Sequence, residues 1–164
     1  MLQRYLRSLR RLLGNYRPHW SVLISTFANG QQSPQVFAMF WQAILNYSGI
    51  DTFLFQDGVG AQKLSLSQLD RYFKAFHDQL DSSQHTLEAI VEIFQTPKVP
   101  SKEFKTEAAD FSRILQQLKV IKTHSQRPIT VFSAPDHLLP NRGPRANELH
   151  RAWLHNVNHC HDLN

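Results

Sequence analysis

Apolar side chains recur at intervals of three and four residues along most of the chain, the spacing that stacks them on one face of an α-helix. Leu2, Tyr5, Leu6, Leu9, Leu12 and Leu13 form the first such stripe, and Gly14-Asn15 breaks it. The pattern predicts a basic amphipathic helix over residues 1–13. Ser33-Pro34 then supplies an N-cap and a first-turn proline for a second helix, which carries Phe37, Phe40, Trp41, Ile44 and Leu45 and ends at Gly49. Ser65 or Ser67 opens a third, with Leu66, Leu69, Tyr72, Phe73, Phe76 and Leu80 on one side and Asp70, Lys74 and Asp78 mostly opposite. Leu87, Ile90, Val91 and Phe94 predict a fourth helix that starts at Ser83, forms a hairpin with the third and stops near Thr96-Pro97. Phe104, Ala108, Phe111, Leu115 and Leu118 predict a fifth over residues 102–122, and Leu149, Trp153, Leu154 and Val157 a terminal one over residues 145–162.

Extended structure is signalled more weakly. Residues 20–27 suit a helix or a strand equally. Residues 50–55 are short, β-branched or aromatic and closed by Asp57-Gly58, and they read as a loop that packs Phe53 and Phe55 inward. Residues 129–132 read as an extended segment. The expected architecture is mainly α: a single helical domain of about five to seven helices with a Pro-rich loop, a short terminal helix and at most a minor β element. Pro135, Pro140, Gly143 and Pro144 punctuate the stretch 128–144 and suggest a boundary there. It would separate a helical body, residues 1–127, from a loop-rich C-terminal segment, residues 128–164, that ends in a His-rich helix.

At 164 residues with 41% hydrophobic positions the chain is long and apolar enough for a real core. Its lone cysteine, Cys160, excludes an internal disulfide and makes a reducing cytoplasm the expected compartment. No apolar run approaches the roughly 20 residues that span a bilayer, and the arginine-interrupted start does not suit a secretory signal. Charge is more informative. The formal net charge is +5, and the first fifty residues hold Arg4, Arg7, Arg10, Arg11 and Arg17 without one Asp or Glu. Such a one-ended charge attracts an acidic protein face, a phosphate backbone or an anionic membrane.

Candidate chemistry concentrates at the other end. His150, His155, His159 and His161 lie close to Cys160 and Asp162. His155 and His159 fall one helical turn apart, so both rings can point at one divalent transition metal. Asp136-His137-Leu138-Leu139-Pro140, after the apolar residues 129–132, resembles the start of the HNH endonuclease motif. That resemblance implies His137 as general base, Asp136 with His159 or His161 as metal ligands, and Asn156 as the orienting residue. It also requires a second strand after Gly143, which the sequence does not offer. Glycine-rich phosphate loops and Gly-x-Ser-x-Gly elbows are absent, and Asp51, Asp57 and Asp70 show no pairing.

These features predict a cofactor-free, non-enzymatic interaction or regulatory protein, an adaptor that binds an acidic protein partner through Arg4, Arg7, Arg10, Arg11 and Arg17. Nucleic-acid binding through the same face is the first alternative. A metal-dependent hydrolase or nuclease using His155 and His159 is the second. Aromatic residues on more than one helix face add an expectation of homo-oligomers.

Overall fold

In the computed structural model, which describes residues 1–16, 23–28, 31–97 and 105–159, the chain is an α/β fold and not a helical bundle. Four strands, β1 (Leu23–Phe27), β2 (Thr52–Gln56), β3 (Thr86–Glu92) and β6 (Ile129–Phe132), form a parallel sheet in the order in which they occur along the chain. The helices α1 (Leu2–Tyr16), α2 (Pro34–Ser48), α3 (Leu66–Gln79) and α4 (Phe111–His124) alternate with them, and α2, α3 and α4 are the crossovers that parallel neighbours require. Two-residue strands β4 (Phe94–Gln95) and β5 (Glu107–Ala108) pair antiparallel beyond the end of β3. A single helical turn, α5 (Ala134–His137), a 3-10 turn (Pro140–Arg142) and the terminal helix α6 (Pro144–His159) follow β6.

The expectation of a mainly α fold is therefore corrected, and the reason lies in how parallel strands are buried. A strand inside a parallel sheet is covered over much of both faces, so its sequence loses the alternation that marks a half-exposed strand. Residues 86–92 carry Leu87, Ile90 and Val91 at helix-like spacing, yet they form β3, paired with β2 from Thr86 to Ile90 and with β6 from Ala89 to Glu92. Residues 50–55, expected to be a loop, contain most of β2. The segment 102–122 begins its helix only at Phe111, because Glu107 and Ala108 belong to β5. The Pro-rich stretch expected to mark a boundary contains β6, the fourth strand of the same sheet.

Where the signals were local, the elements form as the sequence predicts. Ser33 caps α2 by accepting from the Val36 amide, Pro34 sits in its first turn, and Gly49 ends it at φ 68°, a left-handed conformation that suits glycine. Ser65 and Gln68 form a reciprocal capping box on α3.

The helices lie side by side on one face of the sheet. Phe53 and Phe55 point to that face from β2, as do Leu87, Ala89 and Val91 from β3. They meet Phe37 and Trp41 of α2 and Tyr72, Phe73 and Phe76 of α3 in a cluster of aromatic rings, with Phe53 and Phe76 centroids 4.8 Å apart. The tilted and edge-on ring geometries add to the apolar area they bury. The opposite face carries no helix among the described residues.

Phe53 is fully buried at the centre of this cluster. Phe53→Ala should cost about 3–5 kcal/mol in urea denaturation. A loss below about 1 kcal/mol, the size of an ordinary substitution, would show that the cluster is not the core.

Candidate active site

In a parallel βα sheet the strand ends that carry the following loops form one rim, and functional groups gather there. Here that rim holds Phe27 at the end of β1, Gln56 and Asp57 at the end of β2, Glu92 at the end of β3 and Phe132 at the end of β6. Two carboxylates on adjacent strands thus arrive side by side. Asp57 extends the ladder by one bond, donating its amide to the Ile90 carbonyl at 2.9 Å, and its Oδ1 accepts from the amides of Val59 at 3.2 Å and Glu92 at 3.3 Å. Its Oδ2 accepts from Gln117 Nε2, which α4 brings up beneath the rim. Glu92 Oε1 accepts from Gln56 Nε2 at 2.6 Å and Oε2 from the Ala61 amide at 2.7 Å.

Both carboxylates are wholly buried. Burial disfavours the charged form, and the neighbouring Glu92 charge adds to that, so Asp57 is pushed up to about 7 despite the hydrogen bonds that favour its anion. Arg113 offers the counter-charge. Its Nη2 donates to the carbonyls of Glu92 at 3.1 Å and Phe94 at 2.8 Å. Burial lowers the guanidinium's pKa while the charges of Asp57, Glu92 and Asp110 raise it. Among the described residues, Arg113 Nε and Nη1 and Gln117 Oε1 are buried without a hydrogen-bond partner. Buried polar atoms are normally paired, so the site has hydrogen-bonding capacity to spare.

The segment 57–64 lies over Glu92. Gly60 approaches so closely that a β-carbon there would collide with the Phe94 carbonyl oxygen and come within 3.0 Å of Glu92 Oε2. A glycine is required at this position. On either side of the carboxylates Phe27 and Phe132 are 46% and 45% exposed, leaving two rings on the open side of the rim.

The residues singled out from the sequence lie elsewhere. Arg4, Arg7, Arg10 and Arg11 lie on α1, and Arg17 falls outside the described residues. Arg7 stacks on the Tyr47 ring at 5.3 Å, and the Arg10 guanidinium rests against Gly49 at the carbonyl end of α2, where a helix dipole favours a cation. His155 is exposed on α6; the His159 side chain and residues 160–164, His161 and Cys160 included, lie outside the described residues. Among the described residues no three His, Cys, Asp or Glu side chains gather as a metal site. Asp136 and His137 belong to the short α5, not to a strand end. His137 is buried with Nε2 3.1 Å from Thr106 Oγ1, and burial lowers its pKa. The helix-like spacing within residues 86–92 hides the pairing of Asp57 with Glu92 in the sequence; the signal for it is the strand-like runs Phe53-Leu54-Phe55 and Ala89-Ile90-Val91, each followed within two residues by an acid.

A family model described as a domain of unknown function, DUF4434, matches residues 1–143. The chain belongs to the DUF4434 family. No curated protein matches it. A solved structure from Bacteroides thetaiotaomicron VPI-5482, described as a "putative alpha-L-fucosidase", is similar over 92% of the chain at 17% identity and a TM-score of 0.77. The match takes in 48% of that protein, so the DUF4434 chain spans about half its length. At this identity the likeness shows the fold: an α/β domain.

That fold overturns the expectation of an all-α regulatory adaptor. In α1, Leu6 packs on the core and Arg7 and Arg10 lie beside α2 of the same molecule. Among the described residues no helix is long and apolar enough to cross a membrane.

Asp57 makes a pH signature. A carboxyl whose pKa is raised on folding binds its proton more tightly in the native state, so stability falls as pH rises from the ordinary value of 3.8 towards 7. Melting temperatures of wild type and Asp57→Asn should therefore diverge between pH 4 and 7, with the wild type losing more. Parallel curves across that range would refute the raised pKa.

Proposed function

We propose that the chain belongs to an enzyme of the glycoside-hydrolase kind, with Asp57 as proton donor and Glu92 as its carboxylate partner on the strand-end rim. The observation that carries this reading is the pair itself: two carboxyls on adjacent strand ends, one held near neutrality by burial and by the charge of the other. Glycosidic bonds are commonly broken by such a pair, in which one carboxylic acid protonates the leaving oxygen while a carboxylate stabilises or activates the group that replaces it. An Asp with a pKa of about 7 retains its proton close to neutral pH, as a proton donor must.

The surroundings support a polyhydroxylated substrate. Arg113 and Gln117 have unpaired polar atoms beside the carboxylates, and Phe27 and Phe132 offer exposed ring faces for the apolar side of a sugar. The similar structure from Bacteroides thetaiotaomicron, given its description, makes α-L-fucosides the first substrates to try. The segment 57–64 covers Glu92 through the Ala61 amide, so substrate meets the pair when that segment shifts.

The test is hydrolysis of a panel of 4-nitrophenyl glycosides, α-L-fucoside first, across pH 4–8. Glu92→Gln should lower kcat/KM on this panel by about 10²–10⁴-fold, with far-UV circular dichroism unchanged. Asp57→Asn should cost less on these substrates, whose 4-nitrophenolate leaves with little protonation, and about 10²–10⁴-fold on alkyl fucosides, whose leaving group needs the proton. Turnover of none of the panel, full activity in folded Glu92→Gln, or full activity on alkyl fucosides in folded Asp57→Asn would overturn the reading.

A further inference from the structure

At the end of the strands opposite the carboxylates the chain forms a second cavity, of about 260 Å³. It lies where the last turns of α3 and α4 meet the start of β3, and His77, Ser82, His85, His124 and Arg127 are among the side chains that line it. Local hydrogen bonds fix these positions. Asp81 anchors a turn: its Oδ1 accepts from the Ser83 amide at 2.9 Å and hydroxyl at 2.7 Å, and its carbonyl accepts from the His85 amide at 2.8 Å. That turn delivers His85 to the start of β3. Ser125 ends α4 and donates its hydroxyl to the Leu87 carbonyl at 3.0 Å, which holds the loop carrying Arg127 against the same strand.

His85 has a polar atom to spare. The residue is only 8% exposed, and its Nε2 pairs with Asn46 Oδ1 of α2 at 2.7 Å. Its Nδ1 is buried with no hydrogen-bond partner among the described residues. Buried polar atoms normally have one, and this atom belongs to a ring that lines the cavity.

Charge narrows what the partner can be. Among the described residues no Asp or Glu lines the cavity. The acids around it are engaged: Asp70 with His124 Nε2 at 2.8 Å, Asp78 with Lys74 at 2.8 Å and His77 at 3.5 Å, and Asp81 within its own turn. Their three charges are matched by Lys74, Lys122, whose Nζ donates to the Arg127 carbonyl at 3.4 Å, and Arg127 itself. Formal charge therefore draws in neither an anion nor a cation. The carbonyl ends of α3 and α4 oppose an anion further, and Arg127 opposes a cation. A hydroxyl both donates and accepts, so it satisfies Nδ1 in either tautomer of the ring, whereas a carbonyl or an ammonium satisfies it in only one.

We propose that this cavity binds a neutral polyhydroxyl compound of monosaccharide size, one hydroxyl pairing with His85 Nδ1 while Leu80 and Leu87 of the wall pack on its carbon skeleton. The site lies at the far end of the strands from Asp57 and Glu92, so binding here and hydrolysis there can fail separately.

Nitrogen-15 spectra of the chain titrated with L-fucose, D-glucose and myo-inositol test it. At least one of them, at up to about 100 mM, a range that captures millimolar affinity, should give saturable shifts at the His85 ring nitrogens and at the amides of residues 80–87 and 124–127. His85→Phe keeps a ring and removes Nδ1, and it should abolish those shifts. Ser82→Trp reads the same site without altering a buried residue: Ser82 is exposed, and the indole placed there should fill the cavity and weaken binding at least about tenfold. Saturable shifts confined to Gln56, Ala61 and Glu92 of the rim, no saturable shift with any of the three compounds, or binding unchanged in Ser82→Trp would overturn the proposal.

Discussion

Two buried carboxylates at neighbouring strand ends constrain everything built around them. An ionised group removed from water is costly unless it is paired, hydrogen-bonded or protonated, and the chain applies the last two remedies. Backbone amides of Val59, Ala61 and Glu92 donate hydrogen bonds, and Asp57 retains its proton towards neutrality, while Arg113 lies close by with its Nη2 on the Glu92 and Phe94 carbonyls. Each remedy fixes a different element. Gln117 and Arg113 set the rotation of α4, the Ala61 amide draws the segment after β2 across the rim, and Gly60 allows that segment to lie against the Phe94 carbonyl. Such an arrangement is expensive for stability alone, which is the physical reason to look for chemistry there.

The two faces of the sheet divide the remaining tasks. Phe53, Phe55 and the rings of α2 and α3 form a dense core on the helix side. Tyr72 ends that cluster by donating its hydroxyl to the Gln32 carbonyl at 2.7 Å, which ties the start of α2 to the middle of α3. The other face carries Leu54 and Ile90, both buried, beside Gln56 and Glu92 of the rim. Phe27 and Phe132 flank the carboxylates at the rim and lie on β1 and β6, the edge strands of the sheet among the described residues.

The helices α2 and α3 were legible in the sequence because their evidence is local: Ser33, Pro34 and Gly49 bound one, and Ser65 with Gln68 opens the other. The sheet was not. Ala89 and Val91 face the helices while Ile90 faces away, and all three are buried, so β3 shows no alternation. Leu87, Ile90 and Val91 then mimic a helical stripe. A helical stripe there puts Glu92 on a helix and leaves Asp57 in a turn, which hides a pair 35 residues apart in sequence. Charge patterning drew attention instead to the arginines of α1, two of which rest on α2.

The central claim is that burial and mutual repulsion keep Asp57 protonated beside Glu92. Carbon-13 titration of the side-chain carboxyls reads this directly. Asp57 should titrate near 7 in the wild type, and its midpoint should move down in Glu92→Gln, where the repelling charge is gone. A wild-type midpoint at the ordinary value of 3.8 would contradict the account, because Asp57 would then be an anion at neutral pH and no proton donor.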